Sequence, residues 1–241
     1  MGLRVLVTRP EPGASKTASA LAGLGHDPVV MPLTQIMPHV PDLSEPWPDF
    51  TQVVVTSANA LRHAPESLIR HLSGLPLLAV GEATAAAARK AGFTDVTAGE
   101  GAAAALLPLL PEVSSGPCHI AYLAGTVRRP DLERAMVQRQ LPHTVIETYE
   151  TKKVSYTTHE MNRIFAKGVP DVALMHSAES AAAAGALPAD HIRKQLIEKT
   201  IFIVISARVE AALRPVGAPH VRVSAEPTEA AMLAELAAIR S

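Results

Sequence analysis

Six times along this chain a short, continuous apolar run halts at a Thr, Ser or Gly and restarts as an alanine- and leucine-rich helical segment. RVLVTRPEP leads into ASKTASALAGLG, VVVTSA into NALRHAPESLIRHL, and LLAVGE into ATAAAARKAGF. The pattern returns as HIAYLAGT with VRRPDLERAMVQRQL, VALMHS with AESAAAAGAL, and IFIVIS with ARVEAALRPVG. A strand apolar on every residue must be buried on both faces, and strands alternating with helices satisfy that only in a parallel α/β sheet. Each abrupt switch is then a strand-to-helix corner, with Thr or Ser available to cap the helix.

Two shorter segments, DVTAG and HVRVSAEPTEAAMLAELAAI, add a strand each and make about eight strands. That is too many for one flavodoxin-like sheet and suits two small ones. Residues 29–43 and 143–156 break the pattern: both alternate apolar and polar residues as half-exposed strands do, and neither leads at once into a helix. If they lie side by side as linker strands, about 32–40 and 145–153, they divide the chain in two. An inserted α/β domain spans 40–146, and a discontinuous one combines 1–35 with 152–241. The intervening PDLSEPWPD holds three prolines and reads as loop.

Twenty-two Lys plus Arg stand against 23 Asp plus Glu, so the net charge of −1 gives no field that gathers nucleic acid or an anionic membrane. No apolar stretch reaches the length that spans a bilayer, and the start MGLRVLV runs straight into a strand rather than an export signal. A periplasmic-type receptor is therefore disfavoured. The single Cys118 makes no internal disulfide and reads as a small buried side chain in a reducing cytoplasm. Ten His fall without HxxxH or HExxH spacing, and GxGxxG, GxxxxGK[ST] and GxSxG are absent, which leaves zinc, dinucleotide, P-loop and serine-hydrolase readings without support. The alanine tracts at 85, 102 and 181 read as helix faces, and Glu226 to Glu229 as a loop and helix cap.

VLVTRPEPGASKTASALAGLGHDPVVMPLTQI, the TSANA turn, AVGEATAAAARKAGF, LAGTVRRPDLERAM and VIETYETKKV, in this order and spacing, resemble the uroporphyrinogen-III synthase family of tetrapyrrole biosynthesis. The resemblance covers essentially the whole chain. It implies two flavodoxin-like parallel-sheet α/β domains joined by a two-stranded β linker, with the active site in the inter-domain cleft. The implied reaction closes the linear tetrapyrrole hydroxymethylbilane to uroporphyrinogen III, with loss of water and inversion of the last ring. No metal or organic cofactor is expected, and the expected partner is that small-molecule substrate, met by a cytoplasmic monomer. A non-catalytic tetrapyrrole- or acid-binding protein of the same fold is the alternative.

The implied substrate is a flexible polyanion with eight carboxylates, so its binding calls for corners where helix N–H groups stand unpaired at the positive end of the helix dipole. The expected contacts are Arg9, then Ser57, Ala58 and Asn59, Gly81 and Thr84, Gly125 with Arg128 and Arg129, Ser177 and Ser180, and Arg208. The plainer reading of each Ser or Thr is a helix cap, and of each Arg a salt bridge or a solvated first turn. Only three tyrosines occur, and Tyr149 falls in the connector that matches the family's linker motif. As the expected catalytic residue, its phenol either donates a proton to the departing hydroxyl or orients that group by a hydrogen bond; the plainer reading is an aromatic covering an edge strand. The chain departs from the family pattern at His176, where Thr is common, and at Ser206-Ala207-Arg208-Val209, which lacks the usual Gly and hydroxyls.

Overall fold

The computed structural model describes residues 2–42, 46–101, 103–111 and 118–239. The chain forms two compact units: residues 1–35 with 152–241, and residues 36–151. Each is a mainly parallel α/β sheet.

In the first unit the chain runs β1 (Arg4–Val7), α1 (Gly13–Gly23) and β2 (Asp27–Val30). It returns after residue 151 through α6 (Thr158–Ile164), β9 (Val172–Met175), α7 (Ala178–Ala184), α8 (Asp190–Lys199), β10 (Ile201–Val204), α9 (Ala207–Leu213), β11 (Val221–Val223) and α10 (Glu229–Ala237). Its five strands lie in the order β11-β10-β9-β1-β2, every pairing parallel. Alternate side chains enter two cores: Leu6, Ala173, Met175, Phe202 and Val204 face one side, and Val5, Val7, Val172, Leu174 and Ile203 the other. This explains the unbroken apolar runs, since a buried Val or Leu contributes about 1.5–3 kcal/mol on either face. β2 is an edge strand, which is where Pro28 does no harm to the ladder.

The second unit runs β3 (Thr34–Pro38), β4 (Gln52–Val55), α2 (Ala58–Arg62), α3 (Glu66–Leu72), β5 (Leu77–Ala79), α4 (Glu82–Lys90) and β6 (Val96–Ala98). A 3₁₀ segment (Ala103–Leu109), β7 (Ile120–Gly125), α5 (Asp131–Gln138) and β8 (His143–Lys153) complete it. The sheet order is β3-β8-β7-β4-β5-β6. His39 N–H donates to Thr148 O at 2.9 Å and Val154 N–H to Leu33 O at 3.0 Å, a pairing pattern that runs β3 antiparallel to β8. The other neighbours are parallel.

Several expectations are corrected. Eleven strands occur among the described residues where about eight strands and two linker strands were expected, because residues 29–43 split at Met31-Pro32-Leu33 into the end of β2 and a separate β3. The two sheets do not share one flavodoxin-like order: numbered within its own unit, the first reads 2-1-3-4-5, while the parallel part of the second reads 3-2-1-4-5. NALRHAPESLIRHL is two helices, since Pro65 lacks the N–H that would continue α2 and bars helical backbone at the residue before it. The alanine tract at 102 leads into the 3₁₀ segment, which contains Pro108, and residue 102 itself lies outside the described residues. Cys118 is half-buried rather than buried. Among the described residues no helix is long and apolar enough to cross a membrane.

Candidate functional site

In open parallel sheets ligands bind beyond the carboxyl ends of the strands, where the strand order reverses. That point lies between β1 and β9 in the first unit and between β4 and β7 in the second. The expected site residues at Arg9, Ser57 to Asn59, Gly125 to Arg129 and Ser177 to Ser180 all occupy these two reversal points. Gly81 and Thr84 sit one corner away, after β5, and Arg208 after β10.

At the first reversal point the hydroxyl of Thr8 donates to Leu174 O at 2.7 Å, tying β1 to β9. Arg9 turns back to Glu229 at the start of α10, 3.1 Å away, and to Thr17, whose hydroxyl also donates to Glu229. Gly13 leaves space for this guanidinium, as a side-chain carbon there would stand 2.8 Å from its Cζ. Ser177 accepts from Ser180 N–H at 3.0 Å and so caps α7, while buried Ser180 approaches Thr34 at 3.3 Å. His176 follows β9, and among the described residues both its ring nitrogens are buried without a hydrogen-bond partner. Burial, and secondarily the Arg9 charge, push its pKa down to about 4 against a smaller opposing pull from Glu229. It is therefore a neutral imidazole near neutral pH.

The second reversal point is built around two tyrosines. Tyr122 is buried on β7 with its hydroxyl 3.1 Å from that of Thr56, and burial pushes its pKa above the ordinary phenol value. Ser57 caps α2 by accepting from Asn59 N–H at 3.2 Å, and Asn59 Oδ1 accepts from Arg62 at 2.9 Å. The Tyr149 ring lies directly over Gly125: a Cβ on that glycine would come within 2.6 Å of Tyr149 Cζ. Among the described residues the Tyr149 hydroxyl has no hydrogen-bond partner. Gly81 is similarly close-packed, its would-be Cβ 3.1 Å from Gly101 Cα, and Thr84 is buried one turn into α4.

Every arginine expected to meet substrate already faces a carboxylate. Arg9 pairs with Glu229, Arg128 with Glu133 at 2.7 Å and Glu147 at 2.6 Å, Arg129 with Asp131 at 2.5 Å, and Arg208 with Glu179 at 3.7 Å. Arg128 also donates to Gly125 O at 3.0 Å, and its hydrogen bond to Glu133 leads the causes that raise its pKa. Arg129 and Arg208 are largely solvated, so their pairs contribute little and exchange easily. Ser206, at the altered corner, caps nothing by its side chain.

Tyr122, Thr148 and Glu147, which bond to Thr56, Ala60 and Arg128 beside this corner, are absent from the contacts expected from the sequence. A hydroxyl inside the apolar run HIAYLAGT was the available signal for Tyr122.

Two mainly parallel α/β sheets, each with hydroxyls and ion-paired arginines gathered at its carboxyl edge, define the class of protein. The family model described as HEM4, uroporphyrinogen-III synthase HemD, matches residues 15–234. The chain belongs to the uroporphyrinogen-III synthase family. It is accordingly a cyclising lyase of heme biosynthesis, closing hydroxymethylbilane to uroporphyrinogen III. The fold is similar to that of uroporphyrinogen-III synthetase from Helicobacter pylori 26695, at 19% identity and a TM-score of 0.69, covering 100% of both chains. A mutant uroporphyrinogen III synthase from the extremely thermophilic bacterium Thermus thermophilus matches 99% of this chain and 98% of its own, at 19% identity and a TM-score of 0.57. No curated protein sequence matches.

Proposed function

We propose that the enzyme grips the carboxylates of hydroxymethylbilane with the carboxyl-edge corners of its α/β sheets. The family match over residues 15–234 carries the reaction. Support for the placement is that Tyr149, the only tyrosine on β8, presents an unpartnered hydroxyl beside the β4/β7 reversal point. In this reading Tyr149 protonates or orients the departing hydroxyl. The azafulvene that results is attacked by the substituted carbon of the last ring, and the spiro intermediate fragments and recloses inverted. Substrate contacts come from Ser57, Ala58 and Asn59, from Gly81 and Thr84, from Ser177 and Ser180, and from Arg9, Arg129 and Arg208 exchanging their carboxylate partners for those of the substrate. The enzyme acts as a cytoplasmic monomer without nucleic-acid partners.

Incubation with hydroxymethylbilane, followed by separation of the uroporphyrinogen isomers, tests the reaction, since uncatalysed closure gives type I. Type III product is expected, and type I alone would leave only a binding protein. Tyr149→Phe is expected to lower kcat by roughly tenfold or more without abolishing turnover, because positioning provides most of the rate. Full turnover in that variant would end the acid role.

A further inference from the structure

Side chains alternate between the two faces of a regular strand, so along β8 each residue's face follows from its neighbour's. Val145 packs into the core on the α5 side, and Ile146 into the core on the α2 and α4 side. By that alternation Thr148 belongs with Ile146, and Tyr149 belongs on the opposite face. Thr148 complies: it is fully buried and its hydroxyl donates to Ala60 O, on α2, at 2.7 Å. Tyr149 does not comply, packing instead into the Ile146 core over the bare face of Gly125.

The β7/β8 register accounts for this. Ala124 stands opposite Glu147, but the next residue, Gly125, stands opposite Tyr149, leaving Thr148 as one extra residue on β8. A one-residue slip returns the following side chain to the face just used, and bulges re-aim side chains in this way. Two fixings hold the slip. On one face is the Thr148 hydroxyl on Ala60. On the other is Arg128, whose Nη1 joins Glu147 Oε1 at 2.6 Å to Gly125 O at 3.0 Å while its Nε holds Glu133 of α5 at 2.7 Å.

We propose that this pinned bulge is the device that aims Tyr149 over Gly125, so that Thr148, Glu147 and Arg128 are positioning residues for Tyr149, and Arg128 is not a substrate contact. The proposal rests on the reading of Tyr149 given above. Thr148→Val and Glu147→Ala each remove one fixing, and each is expected to lower kcat at least about fivefold with KM within about twofold. Thr148→Ser and Glu147→Gln, which keep the oxygen, are expected to restore most of it. In a Tyr149→Phe background the same changes should cost nothing further, because the group they position is gone. Protein labelled with 3-fluorotyrosine has three tyrosine resonances, and the Tyr149 signal, identified by its loss in Tyr149→Phe, is expected to shift in both variants. A Tyr149 resonance unmoved in Thr148→Val and in Glu147→Ala overturns the proposal, as does additive loss on top of Tyr149→Phe. Full turnover in Tyr149→Phe alone would end the acid reading, and the resonance would then decide the aiming by itself. If Thr148→Val fails to fold, Glu147→Ala, at a side chain about one-third exposed, carries the test.

Discussion

Gly125 shows how one absent side chain shapes this site. Its backbone needs no unusual torsion; what matters is that the Tyr149 ring occupies the space a Cβ would fill, with Cζ, Cε2 and the hydroxyl at 2.6, 2.7 and 2.9 Å. Gly125→Ala is therefore expected to displace the ring, lowering kcat by about tenfold to a hundredfold, with an overpacking cost of about 1–3 kcal/mol. Steady-state turnover and urea unfolding of the variant measure the two effects separately. His176 makes a prediction of another kind. Its pKa falls from 6.5 unfolded to about 4 folded, so between those values the unfolded chain binds more protons. Its contribution to stability is complete above pH 6.5 and is lost as pH falls toward 4, by about 3 kcal/mol at most. His176→Thr is expected to flatten that part of the stability curve, and urea midpoints at pH 4.5, 5.5 and 7 compared with the parent check it. Parallel curves would mean the imidazole does not titrate as its burial requires.

At the scale of elements, what was legible in the sequence was whatever is local. The runs RVLV, VVV and IFIV announce fully buried strands because both faces must be apolar, and the Ser after VVVT and after VALMH does cap the following helix. Tyr149 stood out by rarity in an extended connector. What escaped depends on partners distant in the chain. Strand order in the second unit is set by which crossover passes which face, and the slip at Thr148 is fixed by Ala60, 88 residues away. Arg128 could be placed at a corner from its neighbours, but its engagement with Glu147, 19 residues on, belongs to the sheet. The break at Pro65 was readable, yet the helical periodicity on either side concealed it. Helix α6, outside the sixfold pattern, has the most complete local signal: Thr157 and Glu160 form a capping box, each accepting from the other's backbone N–H. Thr157→Ala should cost about 1 kcal/mol, and Thr157→Ser close to nothing, by urea denaturation. Equal stability of the two variants would mean the box contributes nothing.

On the scale of the whole molecule, the chain enters and leaves the second unit through adjacent strands. His39 bonds to Thr148, and Val154 to Leu33, and the same antiparallel register sets Ile36 opposite Thr151. Residues facing each other across such a ladder lie about 5 Å apart at Cα. The unit comprising 36–151 therefore has its two ends side by side, the geometry of an inserted domain, and it carries its own two cores around Val53, Val55, Leu123 and Ile146 and around Val54, Ile120 and Tyr122. A unit with a closed core and neighbouring ends should not need the rest of the chain to fold. Residues 36–151 expressed alone are expected to unfold cooperatively in urea, with circular dichroism and tyrosine fluorescence giving one midpoint. The complementary chain, Gln35 joined to Lys152 by a short turn, should do the same around β1, β9 and β10, while neither piece converts hydroxymethylbilane to the type III product. A gradual, probe-dependent transition in 36–151 would show instead that its cores depend on the first unit, and that the division at Gln35 and Lys152 separates contacts without separating folding.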